Sequence, residues 1–127
     1  MPVTRTPVAI LARLDPWAPP VALMVVIFAL SAQPDLSTGL GAWDLVGRKL
    51  VHMTEYGLLC LAWWRAFRTT TSDSRRALGL ALLVSLAYAA TDEVHQAFVH
   101  GRHGTPIDVA IDAVGMAAAA LLIARRA

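Results

Sequence analysis

Four long apolar stretches, separated by short polar connections, constrain most strongly how this chain can fold. They run from about residue 17 to 33, 50 to 67, 77 to 99 and 107 to 124. Each is close to the roughly 17 to 25 residues that an α-helix needs to cross the hydrocarbon core of a membrane. We therefore predict an all-α fold, an integral membrane four-helix bundle that forms a single domain over residues 1–127.

The composition favours a membrane protein over a soluble one. Apolar residues make up 57% of the chain and charged residues 16%, against about 45–50% and about 25% in soluble domains. A soluble helix bundle would also carry a charged outer stripe, which the segments 21–30 and 116–123 lack. The net charge of +2 is too small for a nucleic-acid surface. A single cysteine, Cys60, excludes an internal disulfide and a cysteine-based zinc site.

The basic residues are unevenly distributed between the connections, and this predicts the orientation. If all four helices cross, both termini and the connection at 65–76 share one side of the membrane. That side holds eight of the eleven Lys and Arg residues, namely Arg5, Arg13, Arg65, Arg68, Arg75, Arg76, Arg125 and Arg126. By the positive-inside rule, we expect both termini to be cytoplasmic.

Acidic residues inside or at the ends of the apolar stretches indicate a functional site near the outer surface. A charged side chain in a bilayer costs several kcal/mol unless it has partners or water. Five carboxylates meet this description: Glu55, Asp92, Glu93, Asp108 and Asp112. We expect the helices to bring them together.

The second helix carries a polar stripe at its outer end. Lys49, His52, Glu55 and Tyr56 recur at spacings of three and four residues, which places them on one helix face. The alternative is structural: Lys49 would extend to the membrane surface, and His52 would pair with Glu55 on the same helix.

The third helix places Asp92, Glu93 and Gln96 within an arc of about 100°, with His95 at its border. Two neighbouring carboxylates repel, so we expect one of them to hold its proton or a cation to lie between them. Alternatively, Glu93 pairs with Arg102 beyond the helix end, Asp92 bonds a neighbouring helix, and His95 is an interfacial histidine.

On the fourth helix, Asp108 and Asp112 are four residues apart and therefore share a face, with Gly115 on nearly the same line. A glycine there permits close approach of another helix. Asp108 also suits the first turn, where the helix dipole favours an acid. The short connection at 100–105 would hold Arg102 over the helix ends.

Three motifs resemble the VanZ-like family of small membrane proteins: KLVHMTEYG, DEVHQAFVHGR and DVAIDAVG. The family has a Lys, His, Glu and Tyr pattern on one helix, and an Asp-Glu-x-x-Gln, Arg and Asp series on the last helical hairpin. The matching positions are Lys49, His52, Glu55, Tyr56, Asp92, Glu93, Gln96, Arg102, Asp108, Asp112 and Gly115. IFALSAQP, residues 27–34, resembles the end of the family's first span, so the resemblance covers about residues 20–124.

The resemblance implies a protein of the bacterial cell envelope. The family is named for a protein that accompanies glycopeptide resistance clusters and is associated with reduced susceptibility to teicoplanin, a lipidated antibiotic. Teicoplanin acts outside the cytoplasmic membrane on lipid-linked cell-wall precursors, which agrees with an outward-facing polar site. One departure is His100, where the family commonly has a proline, and this bears on the rigidity of the outer loop.

Three mechanisms are open for such a site. The first is a membrane enzyme acting on a lipid or lipid-linked head group. Its candidate catalytic residues are His52, Glu55, Asp92, Glu93 and Asp112, and its candidate substrate-binding residues are Lys49, Tyr56, Gln96, Arg102 and Asp108. The second is a non-catalytic protein that binds an amphiphile. The third is a small ion or proton carrier, which is disfavoured because no acidic or basic residue continues a path through the inner half of the helices.

The oxygen-rich donor set suits a divalent cation such as Mg, Mn or Ca better than structural zinc. Lys49 and Arg102 already offer two positive charges to the carboxylates, so a metal-free ion-pair network is a comparable alternative. The expected partner is a membrane lipid or a lipid-linked cell-wall precursor. The expected location is the cytoplasmic membrane of a bacterium, with several crossings and the site facing outward.

Overall fold

The computed structural model describes residues 14–31, 42–98 and 106–126, and within these ranges the secondary structure is entirely helical. Four helices follow one another: α1 at Ala18–Ser31, α2 at Ala42–Phe67, α3 at Ser74–Ala97 and α4 at Pro106–Arg126. For the described residues, the prediction of an all-α fold with four helices is therefore confirmed.

Prolines mark the beginnings of two helices. Pro19 and Pro20 lie in the first turn of α1, and Pro106 is the first residue of α4. Proline is tolerated there because the first turn of a helix leaves its amide groups without intrahelical acceptors. Pro19 and Pro20 are therefore compatible with the helix that follows them.

The second helix begins eight residues before the apolar stretch predicted from Leu50. It already starts at Ala42 and continues through Gly47 and Arg48. One glycine lowers helix stability by only about 1 kcal/mol, and no proline interrupts this segment. The apolar stretch therefore predicted the more apolar part of α2, from Leu50 onwards, and missed the polar first turns of the helix.

Asp73 defines the start of α3. Its side chain accepts hydrogen bonds from the backbone N–H groups of Arg75 at 3.0 Å and Arg76 at 3.4 Å. These are among the amide groups that a helix start leaves without partners, and an aspartate N-cap satisfies them. The cap sets the point at which the chain reverses direction between α2 and α3.

Helices α2 and α4 pack most closely, and two glycines make this possible. A Cβ atom on Gly115 would overlap the carbonyl oxygen of Met53, and a Cβ on Gly57 would lie 3.1 Å from the carbonyl oxygen of Gly115. Helix α3 covers the α2–α4 pair, and α1 packs against α2 and α3. The core contains residues of all four helices, including Ile27, Tyr56 and Met116.

Three aromatic rings pack together where the start of α1 meets the end of α2, at the arginine-rich end of the bundle. The ring of Trp17 lies 6.2 Å from that of Trp63 and 5.6 Å, edge-on, from that of Phe67. Close by in the sequence, Arg65 forms an exposed ion pair with Asp15, with 2.7 Å between nitrogen and oxygen. This end is opposite to the end that carries the acidic residues of α2, α3 and α4.

Of the described helices, one is both long and apolar enough to cross a membrane, α3 at Ser74–Ala97. A shorter apolar helix covers Ala18–Leu30. Helices α2 and α4 are long, but each carries charged residues within or near its apolar part. One crossing therefore meets the criteria of length and composition, and the arrangement with four crossings remains a prediction.

Candidate functional site

A polar cluster lies between α2, α3 and α4, in the half of the bundle away from the arginine-rich end. We define it as the six residues His52, Glu55, Tyr56, Asp92, Gln96 and Asp112. Tyr56, Asp92, Gln96 and Asp112 are all at most 6% exposed. A buried carboxylate needs partners because desolvation penalises an isolated charge, so the contacts of these side chains decide what the cluster can do.

Asp92 is the meeting point of α2 and α3. The hydroxyl of Tyr56 donates a hydrogen bond to Asp92 Oδ2 at 3.2 Å, and the amide of Gln96 donates to the same oxygen at 3.5 Å. The other carboxylate oxygen, Oδ1, is buried and has no hydrogen-bond partner within the described residues. One carboxylate oxygen thus joins α3 to α2 through Tyr56, and the other has no donor among the described residues.

Asp112 is the meeting point of α4 and α2. Its Oδ1 atom lies 3.4 Å from Nδ1 of His52, and the carboxyl side chain is 4% exposed. The histidine ring lies nearly parallel to that of Tyr56, with 6.5 Å between centroids. His52 therefore connects the Asp112 side of the cluster to the Asp92 side.

Glu55 completes the cluster from α2. It is half-buried and interacts electrostatically with His52, Asp92 and Asp112. Three acidic side chains, Glu55, Asp92 and Asp112, thus act electrostatically on one imidazole ring. Such an arrangement favours either proton sharing or a cationic guest, because like charges repel strongly in a medium of low dielectric constant.

Gly115 explains how the fold creates this site. It lies three residues after Asp112 and packs against the backbone of Met53, which directly follows His52. Close contact between these two backbones brings the preceding side chains, Asp112 and His52, within reach of each other. A larger residue at position 115 would separate the pair.

The alternative in which His52 pairs with Glu55 along α2 differs from the observed geometry. The carboxylate nearest to the ring belongs to Asp112 on α4. The contact follows from helix packing, which sequence spacing along α2 does not reveal.

Other candidate residues lie at the margin of the cluster or outside the described part of the chain. Lys49 is half-buried one turn before His52, and Glu93 is half-buried beside Asp92 on α3. Consecutive residues of a helix point about 100° apart, so Glu93 does not share the direction of Asp92. Arg102 and His100 lie outside the described residues, as does the side chain of Asp108.

His95 belongs to a different contact. Its ring stacks on Phe28 of α1, with 4.3 Å between centroids and 17° between planes. Its Nδ1 atom is buried and has no hydrogen-bond partner in the described ranges. His95 therefore packs towards α1, while Asp92 and Gln96 point towards α2.

Two polar residues beneath the cluster are not among the candidates that the sequence suggested. Ser85 is fully buried on the same face of α3 as Asp92, seven residues earlier, and its hydroxyl has no partner among the described residues. Tyr88 donates a hydrogen bond to the carbonyl of Met24 at 2.5 Å and lies 6.4 Å from the ring of Tyr56. The spacing of seven and four residues between Ser85, Asp92 and Gln96 was the available signal.

The described residues contain no group of three or more His, Cys, Asp or Glu side chains placed to hold a metal ion. Of the possible metal ligands in the cluster, His52 and Asp112 lie directly against each other, with 3.4 Å between Nδ1 and Oδ1. The divalent cation therefore stays a prediction.

The geometry allows two kinds of chemistry. A histidine oriented by a carboxylate is a common arrangement for accepting and returning a proton. Equally, the buried carboxylate of Asp92 with one unpartnered oxygen can receive a hydrogen bond from a bound head group.

Comparison with protein families supplies independent information. The family model described as VanZ/LLP1 matches residues 11–126. Neither the curated proteins nor the solved structures gave a match. The matched range includes all four helices and every residue of the polar cluster.

Proposed function

The chain belongs to the VanZ/LLP1 family, and from this premise we propose that it is a multi-pass protein of the bacterial cytoplasmic membrane that binds or processes a lipid or lipid-linked head group. The polar cluster is the proposed site, and it faces outward. His52 is the proposed proton acceptor and Asp112 the residue that orients it. The observation that carries the proposal is the 3.4 Å approach of the His52 ring to the buried carboxylate of Asp112.

The surface of the bundle supports the membrane setting. Large apolar side chains are exposed on several helices, among them Val25 at 63%, Leu83 at 65% and Leu121 at 67%. Exposed apolar side chains on several helices of one bundle are compatible with contact to lipid. Only 28% of the apolar window of α3 is buried inside the protein, so most of this helix requires another apolar environment, which lipid provides.

The distribution of charge supports the orientation. Arg65, Arg75, Arg76, Arg125 and Arg126 lie at one end of the helices, and the polar cluster lies in the other half. By the positive-inside rule, the arginine-rich end faces the cytoplasm. The cluster then lies on the side of the outer leaflet, where lipid-linked cell-wall precursors are found.

A second candidate function, non-catalytic binding, is favoured by a different observation. Tyr56 and Gln96 donate to the same oxygen of Asp92, which is how a structural residue holds two helix faces in register. If the protein only binds, the cluster recognises the head group of an amphiphile, and the apolar helix faces hold its tail. Protection against a lipidated antibiotic such as teicoplanin would require binding alone.

Isosteric substitutions separate the two functions. We would purify the unmodified protein and its Asp92→Asn, Glu55→Gln and Arg102→Ala variants, with Asp15→Asn as the control because Asp15 is an exposed carboxylate far from the cluster. Each protein would be incubated with phosphatidylglycerol and with a polyprenyl diphosphate-linked sugar. Mass spectrometry would then measure both the lipid retained and any change in its mass.

The enzyme mechanism predicts that Asp92→Asn and Glu55→Gln abolish conversion of a probe lipid but still retain it, while Arg102→Ala weakens retention. The binding mechanism predicts no conversion by any protein, with the amide variants changing affinity alone. Expression in a teicoplanin-susceptible bacterium tests the link to resistance. Unchanged retention and unchanged conversion in Asp92→Asn, Glu55→Gln and Arg102→Ala would overturn the proposed site.

A further inference from the structure

A long apolar groove runs along the outer side of α2 and α4, on a different face from the polar cluster. Its volume is about 640 Å³, and its walls include Leu50, Leu61, Trp64 and Leu122. The floor is formed by Gly57, Gly115, Ala118 and Ala119. Because these floor residues have small side chains or none, the two helices meet there without filling the space between their larger neighbours.

The length of the groove fits a lipid chain. The lining residues on α2 extend from Leu50 to Trp64, which corresponds to about 21 Å at 1.5 Å per residue. One leaflet of a bilayer contributes about half of a hydrocarbon core roughly 30 Å thick. The groove can therefore hold a fully extended acyl chain along most of its length.

The two ends of the groove differ in charge. At one end the lining includes Thr54, whose hydroxyl already donates to the carbonyl of Leu50 at 2.8 Å. At the other end it includes Arg126 beside Trp64, and the guanidinium of Arg68 lies 5.9 Å from the centre of the Trp64 ring. The groove thus combines an apolar body with a cationic end, which complements an amphiphile whose head is an anion.

We propose that this groove binds an anionic phospholipid of the inner leaflet, with an acyl chain between α2 and α4 and the phosphate at Arg126. Arginine suits this role because its planar guanidinium donates two parallel hydrogen bonds to phosphate oxygens. Tryptophan is enriched at the level of lipid head groups, so Trp64 is placed correctly for this end of the groove. The assignment rests on the proposed membrane setting, and it concerns a site separate from the outward-facing cluster.

The experiment measures bound lipid in protein purified with an equimolar mixture of phosphatidylglycerol and phosphatidylcholine. Native mass spectrometry counts each lipid on the protein. Arg126→Gln should lower the retention of phosphatidylglycerol by about tenfold, as expected for loss of a charge-assisted hydrogen bond. Arg125→Gln is the matched control, because Arg125 is the preceding exposed residue and is not part of the groove lining.

A second pair of variants blocks the apolar part. Ala118→Phe places a ring in the groove, and Ala87→Phe places one on an exposed position of α3 outside it. We expect Ala118→Phe to release both phospholipids and Ala87→Phe to release neither. Equal effects of the two arginine variants, or full lipid retention by Ala118→Phe, would overturn the proposal.

A dimer that Ala118→Phe converts to a monomer would also contradict the assignment, because a second copy of the chain would then occupy the groove. Asp112→Asn separates this site from the outer one. Arg126→Gln should lower phosphatidylglycerol retention by the same factor whether or not Asp112→Asn is also present, even if Asp112→Asn abolishes the function of the polar cluster. Failure of one proposal therefore gives a result different from failure of the other.

Discussion

The backbone of Gly115 on α4 lies directly against the carbonyl group of Met53 on α2, so closely that a side chain at position 115 would overlap it. We expect Gly115→Ala to push these helices apart and to lower the free energy of unfolding by about 1–3 kcal/mol, the usual cost of overpacking. Thermal unfolding in detergent, followed by circular dichroism, measures the change.

Gly79→Ala is the matched control for this substitution. Gly79 is also inside a helix, but a Cβ there would meet no atom within 4 Å. Alanine favours helix over glycine by about 0.8–1.0 kcal/mol, so this variant should be at least as stable as the unmodified protein. If both variants were equally stable, the close approach of α2 and α4 would be refuted.

The helices and their polar faces could be predicted from the sequence because both depend on local spacing. Asp92 and Gln96 are four residues apart and share a face in any α-helix, and both lie in the cluster. Pro19 and Pro20 likewise mark the first turn of α1, where proline is tolerated. Such features depend on residues within a few positions of one another.

Contacts between helices could not be predicted in the same way. His52 could pair with Glu55 on its own helix or with any carboxylate on another, and the depth and rotation of α4 selected Asp112. The spacing of Gly115 after Asp112 predicts a point of close approach, but nothing in the sequence indicates that Met53 and Gly57 are the residues it contacts. The stack of His95 on Phe28 likewise depends on where α1 packs.

The pair of His52 and Asp112 should show energetic coupling. We would measure unfolding of His52→Asn, Asp112→Asn and the double variant. Residues in contact typically couple by about 0.5–3 kcal/mol, and we expect a value in this range. The parallel cycle of His52→Asn with Glu55→Gln is the control and should give a smaller coupling. A larger coupling to Glu55 would favour pairing along α2 and contradict the observed geometry.

Ser85→Ala should be neutral or stabilising. The hydroxyl of Ser85 is fully buried and has no hydrogen-bond partner within the described residues, so its removal relieves a desolvation cost of about 1–3 kcal/mol. Alanine also has the higher helix propensity. Unfolding in detergent checks the sign, with Ser85→Val as a test of available space. A marked loss of stability in Ser85→Ala would mean that the hydroxyl has a partner.

The ion pair of Asp15 and Arg65 should contribute little. Both side chains are more than half exposed, at 59% and 57%, and exposed pairs usually contribute less than about 1 kcal/mol. Asp15→Asn should therefore change the unfolding temperature only slightly. Tyr56→Phe removes a buried hydrogen bond to Asp92 and should destabilise the protein more. The reverse order would show that the pair, not the buried contact, anchors the helices.

The proposed topology can be tested with a reagent that labels thiols but does not cross membranes. Eight of the eleven Lys and Arg residues lie on the side that we assign to the cytoplasm. The assignment follows from the positive-inside rule, by which cytoplasmic loops carry an excess of Lys and Arg. A cysteine introduced as His103→Cys should therefore react in intact cells, and one introduced as Ser72→Cys should react only after the cells are opened.

Ser72 is exposed between α2 and α3, so failure to label it in intact cells reflects the membrane. The unmodified protein is the control, because Cys60 is fully buried. Labelling of Ser72→Cys but not His103→Cys in intact cells would invert the topology and place the polar cluster on the cytoplasmic side.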